Sequence, residues 1–246
     1  MVALHKIFRR NRALAWFGLI NFACFLIFLL LSLIDQRQLL GISVWIKPMK
    51  FAISIGIFSW TMSWLLHYIP QVKKAKIITW LIISMMSLEL LIISFQAARG
   101  VTSHYNVATV FDLSLFNTMG VAIVMNTLAV FWAFMLFRKV HTLPSGYKLA
   151  IQLGMLIFVI ASLEGFVMVG KMSHTVGAPD GQEGIFFLNW AKKYGDLRIA
   201  HFLGLHSLQV LPLFGWYFAK ENTRRVWLFA LMYFAFSLGS FWQAFL

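Results

Sequence analysis

Apolar residues in this chain gather into seven runs separated by short polar segments, near 13–34, 51–69, 77–98, 114–137, 149–170, 199–219 and 226–245. Each is long enough to cross a bilayer core, which takes roughly 20 helical residues. Backbone groups in hydrocarbon must bond within their own segment, so runs of this length read as helices. The pattern predicts an all-α, polytopic integral membrane protein with seven transmembrane helices, a single seven-helix membrane domain over 1–246. The first run follows a basic stretch, is too long for a signal-peptide core and has no A-x-A site behind it. It therefore reads as an uncleaved span.

Charge decides which way the helices are expected to run. The 246 residues are 61% hydrophobic and 12% charged, with a mean hydropathy of +0.80, where soluble domains carry about a quarter charged residues. A net charge of +13 would suit nucleic acid if it formed one patch. Instead Lys6, Arg9, Arg10, Arg12, Lys73, Lys74, Lys76, Arg138, Lys139, Lys148, Lys220, Arg224 and Arg225 are spread over four short segments on one side of the spans, opposed only by Glu221. Short loops rich in Lys and Arg stay cytoplasmic. The expected orientation is N-in/C-out, in a bacterial inner membrane, with the lipid bilayer as partner and no nucleic acid. The last run, 226–245, has no lysine for a retinal Schiff base, and an inside N-terminus sets aside the G-protein-coupled receptors. The single cysteine, Cys24, allows no internal disulfide.

The loops expected on the other side differ in character. Segment 35–47 is short and half apolar, which suits the membrane interface, and 100–113 carries Ser103, His104 and Asn106. The longest, 171–197, opens with Gly and Pro, which argue against regular structure there, and is expected to act as a lid.

Two hairpins look like tandem copies, spans 3–4 and spans 5–6. The first has Ser87-Leu88-Glu89, then Ser103-His104, then Asp112-Leu113, Asn117, Gly120 and Trp132. The second has Ser162-Leu163-Glu164, then Ser173-His174, then Asp196-Leu197, His201, Gly204 and Trp216, and the spacing from Asp to Trp is the same in both. Parallel repeats of this kind place sites at the repeat interface.

Helical periodicity gathers the polar residues of the spans into stripes. Glu89, Gln96 and Arg99 share one face of span three, Glu164 runs on towards His174 from span five, and span six carries Arg198, His201, His206 and Gln209. With His104 and Asn117 these form a polar set that, apart from the deeper Glu89, lies in the outer half of the membrane. Such groups are costly in hydrocarbon and mark function by default. Two imidazoles and two carboxylates, His201, His206, Glu89 and Glu164, could hold a transition metal, and a b-type haem with axial histidines is a related expectation. The weakness lies in spacing, because His201 and His206 fall about 140° apart on one helix. The alternative is a binder or transporter of an anionic small molecule, a lipid headgroup or a quinone, using Lys47, Lys50, Arg99, Lys171 and Arg198. A third reading makes the polar groups interhelical ties in a structural or assembly factor.

Overall fold

The computed structural model describes residues Val2 to Leu246, with side chains from Leu4 onward. Among the described residues the chain forms α1 (Val2–Arg10), α2 (Arg12–Ile34), β1 (Gln38–Leu39), β2 (Ile42–Ser43), α3 (Ile46–Leu66), α4 (Val72–Arg99), α5 (Val110–Phe137), α6 (Ser145–Lys171), β3 (Thr175–Val176), β4 (Gly195–Asp196), α7 (Leu197–Phe214) and α8 (Thr223–Gln243). A π turn, Gly215–Ala219, extends α7. Seven of these helices are long and apolar enough to cross a membrane. Large apolar side chains lie on their surfaces, as with Leu26, Ile27, Leu30 and Leu33 of α2. A soluble monomer seldom exposes contiguous apolar surface on this scale, so the chain is a multi-pass membrane protein.

The helices begin earlier than the hydropathy pattern suggests, α3 at 46 rather than 51 and α4 at 72 rather than 77. Their first turns are polar or basic and still helical, because a helix propagates through residues that lipid would reject. Capping fixes several starts. Asn11 accepts from the Leu14 amide at 3.2 Å, Asp196 from the Arg198 amide at 3.0 Å, and Asn222 from the Arg225 amide at 3.0 Å, each satisfying an orphan donor of a first turn. Gly100, at φ 74°, ends α4.

Two loops expected to be irregular contain short antiparallel pairs. In 35–47, β1 and β2 form a hairpin, with Leu40 (φ 53°) and Gly41 (φ 77°) both left-handed at its turn. In 171–197, Thr175 pairs with Asp196 and Val176 with Gly195, so the loop is closed at its base by a two-stranded stem. A bridge between Gly184 and Ala191 adds order further out. Gly177, Pro179 and Gly181 interrupt only the residues beyond β3.

The chain divides into two compact units, residues 1–67 with 71–129, and residues 68–70 with 130–246. In the first unit α2 packs on α3 at Gly18, where a β-carbon would collide with the Trp60 ring; Trp60 Nε1 donates to the Ala15 carbonyl at 3.0 Å. Ile92, Ile93 and Met119 form a core patch there with Phe51, Leu88 and Leu115. In the second unit α6 and α7 interlock through small residues. Gly204 lies against Ala161, and Ser207 Oγ donates to the Gly154 carbonyl at 2.8 Å. Close backbone approach is how membrane helices gain dispersion energy when lipid offers no hydrophobic drive. Ala150, Leu153, Ile157, Leu211, Val226 and Ala230 complete that core.

Candidate functional site

In the first unit the polar stripe of α4 meets the 100–109 segment and the first turn of α5. Asp112, 3% exposed, accepts from Gln96 Nε2 at 2.9 Å, Arg99 Nη1 at 2.5 Å and Thr109 Oγ1 at 2.6 Å. Arg99 also donates to Gln96 Oε1 at 2.5 Å. Two turns before Gln96, Glu89 is buried. Its Oε1 lies 3.9 Å from His104 Nε2, while its Oε2 has no hydrogen-bond partner among the described residues. The loop brings His104 in against Phe51, Tyr105 and Phe116, and Ser103 Oγ sits 3.2 Å from its Nδ1. Lys47, at the start of α3, lies within coulombic reach of Glu89. Asn117 is exposed on α5 and takes no part in this cluster.

The second unit builds its polar groups differently. His174 is held by Asp180, whose Oδ2 is 2.6 Å from His174 Nδ1. The same carboxylate accepts from Ser173 Oγ at 2.9 Å and from the amides of His174 and Thr175 at 3.0 and 2.9 Å. Burial pushes Asp180 up, but the His174 ring together with these donors outweighs it, so its carboxyl is held well below the usual range. Asp196, the cap of α7, is gripped by Arg198 through Nε at 2.8 Å and Nη2 at 2.5 Å and also accepts from the Ala191 amide at 2.8 Å. Arg198 Nη2 further donates to the Asn189 carbonyl at 2.6 Å, so one guanidinium ties the 171–197 loop to the start of α7.

His201 lies on α7 with Nδ1 2.8 Å from the Ala161 carbonyl of α6. A carbonyl can only accept, so Nδ1 carries the proton and the tautomer is set. His206 turns onto its own helix, with Nδ1 2.8 Å from the Phe202 carbonyl and its ring 3.9 Å from that of Phe202. The two rings are thus anchored independently, as their separation around the helix implied. Gln209 lies on α7 three residues beyond His206. Glu164 stands on the wall of a groove of about 250 Å³ between α6 and α8, lined by Ile157, Ala161, Phe234, Ser237 and Phe241 among others, and its Oε1 is buried without a hydrogen-bond partner among the described residues.

Among the described residues no group of three or more His, Cys, Asp or Glu side chains is placed to hold a metal ion. Within the second unit His201, His206 and Glu164 therefore form no ligand set, and Glu89 belongs to the first unit. The cationic reading is altered too, because Arg99 and Arg198 are already occupied by aspartates.

The residues that organise these clusters include three that hydropathy reasoning passed over as site residues: Asp112, Asp180 and Asp196. Asp196 before α7 is an N-cap signal, Asp112 is an acid in a first helical turn, and Asp180-Gly181 is a turn signal. A third signal is the pair Asp35-x-Arg37 and Asp196-x-Arg198. In the first, Arg37 donates to Asp35 through its backbone amide at 3.1 Å, Nε at 2.9 Å and Nη2 at 2.6 Å, the same three contacts that Arg198 makes.

The class these features define is a multi-pass membrane protein with carboxylate-centred polar clusters at its helix ends. Compared with protein-family models, with curated proteins and with solved structures, the chain matches none.

Proposed function

We propose that this protein is a binder of a small lipid-soluble ligand of the quinone type, with the Glu164 groove between α6 and α8 as its site. The observation that carries this reading is a carboxylate oxygen left without a hydrogen-bond partner among the described residues, in a groove whose other walls are apolar save for Ser237. Leaving a buried acceptor unmade costs about 1–3 kcal/mol, a cost a ligand in the groove would remove. An apolar ring and tail suit the walls of Ile157, Phe234 and Phe241. The carboxyl group suits the head, donating to a carbonyl when protonated and accepting from a hydroxyl when ionised. Recognition by hydrogen bonding rather than by ion pairing is supported by the arginines, whose charges are met by Asp112 and Asp196.

The test is equilibrium binding of a decyl-substituted benzoquinone to the purified protein in detergent. Glu164→Leu removes the polar group without opening a cavity and weakens binding about tenfold or more, the worth of a hydrogen bond to a carboxyl group. Leu238→Trp fills the groove and weakens it as well. Unchanged affinity in both variants would sink the reading.

The same proposal sets the protein N-in/C-out in a bacterial inner membrane, on the strength of its basic short loops. It also treats spans 3–4 and 5–6 as tandem copies, supported by a buried aspartate, Asp112 or Asp196, at the start of the second helix of each. A C-terminal reporter that is active only in the cytoplasm overturns the orientation.

A further inference from the structure

At the opposite end of the first unit from Asp35, Glu89 and Asp112 lies a group of basic side chains with no acid near them in sequence. The junction of α1 and α2 is pinned there to α3 and α4. Asn11 Nδ2 donates to Thr79 Oγ1 at 2.7 Å, and Ser63 Oγ donates to the Ile7 carbonyl at 3.0 Å. Arg10 lies over the Trp64 ring at 3.4 Å and donates to the Trp64 carbonyl at 3.3 Å. These ties bring Lys6, Arg9 and Arg12 to the same end as Lys73, Lys74 and Lys76 of the first turns of α4. All six are exposed. Among the described residues none of the six forms an ion pair, since the acids of this unit are engaged elsewhere, Asp35 by Arg37, Asp112 by Arg99 and Glu89 by His104.

Along α4 below these lysines runs an open groove of about 520 Å³, lined by Lys73, Lys76, Ile77, Trp80, Leu81 and Ser84. These positions form one helical stripe, charged at its mouth and apolar along its floor. At 1.5 Å per residue it is ~16 Å long, comparable with a good part of an acyl chain. Trp80 is 53% exposed on that floor, and indole favours the level just below the headgroups.

We infer that this groove is a binding site for an anionic phospholipid of the surrounding bilayer, with Lys73 and Lys76 on its phosphate and one acyl chain along Ile77, Trp80 and Leu81. A soluble anion would use the lysines and leave the apolar floor unused, and a zwitterionic lipid would leave the excess positive charge unmatched. Basic pockets at the ends of transmembrane helices hold anionic headgroups by this combination of charge and apolar contact.

The experiment is native mass spectrometry of the full-length protein released from detergent, titrated in parallel with phosphatidylglycerol and phosphatidylcholine of equal chain length. The wild type is expected to retain phosphatidylglycerol in preference. Lys73→Gln with Lys76→Gln weakens that retention roughly fivefold for each lysine removed, Trp80→Ala weakens both lipids, and an equal charge loss elsewhere, Arg138→Gln with Lys139→Gln, leaves the preference intact. Equal retention of the two lipids by the wild type overturns the site. So does a preference that survives the 73/76 change, or one that falls equally in the 138/139 variant, which would mark diffuse charge attraction instead.

Discussion

The clasp formed by Asp35 and Arg37 in the first unit and that formed by Asp196 and Arg198 in the second are the same local structure in two environments. Both are Asp-x-Arg turns in which a guanidinium edge meets a carboxylate while the backbone amide of the arginine closes the turn. The side chains of the first are 51% exposed for Arg37 and 20% for Asp35, whereas those of the second are 28% and 0%. Arg198 also reaches the Asn189 carbonyl within its long loop, and Arg37 reaches the Ala98 carbonyl at the end of α4. Geometry alone therefore does not rank the two. An exposed pair exchanges water for a partner at little net gain, while a buried carboxylate stripped of its partner keeps its full desolvation cost.

The largest effect should come from breaking the buried member. Arg198→Ala leaves Asp196 with backbone amides only and is expected to lower stability by about 3 kcal/mol, measured as loss of helical signal on denaturation of the detergent-solubilised protein. Arg198→Lys keeps the charge but loses the two-pronged fit and should fall in between. A cost no larger than that of an exposed pair would show that the burial of Asp196 does not set its energetics.

Packing offers the second contrast, between two helix glycines, Gly204 of α7 and Gly120 of α5. A β-carbon at Gly204 would collide with Ala161, whereas one at Gly120 meets nothing. Gly204→Ala should destabilise by roughly 1–3 kcal/mol through overpacking, while Gly120→Ala should be neutral or stabilising by up to about 1 kcal/mol through helix propensity. The same thermal melts read both, and equal effects would mean that the α6–α7 contact is looser than the structure has it.

A smaller, local effect is expected at Asp180. The folded loop keeps this carboxyl ionised to lower pH than a free aspartate, whose pKa is about 3.9. Its contribution is complete above that pH and is lost as pH falls towards the depressed folded value. Hydrogen exchange at the His174 and Thr175 amides should therefore accelerate on acidification, and Asp180→Asn should accelerate it already at neutral pH. The smallest effect is assigned to Arg37→Ala, where only a slight drop in melting temperature is expected, and that drop should shrink further as added salt screens the pair.

Much of this architecture was legible from hydropathy, because a segment that must satisfy its own backbone in lipid has few alternatives. The seven runs correspond to seven long helices, although α3 and α4 begin some five residues before their runs. The hairpin at Gln38–Ser43 and the stem at Thr175–Asp196 were not legible, since strands of two residues have no periodicity to detect. The histidines illustrate a different limit. His201 and His206 share one helix, and sequence could place them on different faces of it, but not decide that one reaches the Ala161 carbonyl of α6 and the other the Phe202 carbonyl of its own turn. Arg99 and Arg198 read as cations for an anionic ligand in one dimension, and only the folded chain shows Arg99 closing on Asp112 in the first turn of α5 and Arg198 on Asp196 at the cap of α7.

By itself the sequence determined the all-helical class, the number of long apolar helices and the short segments in which basic residues collect, because these depend on local composition summed over about twenty residues. Tertiary structure alone decided which polar groups are used up and which remain. It closed Asp112 on Arg99 and Asp196 on Arg198, brought His104 to Glu89, and left Glu164 on an apolar groove. Those outcomes rest on contacts of a few ångströms, where a single turn of helix or one loop residue changes the partner.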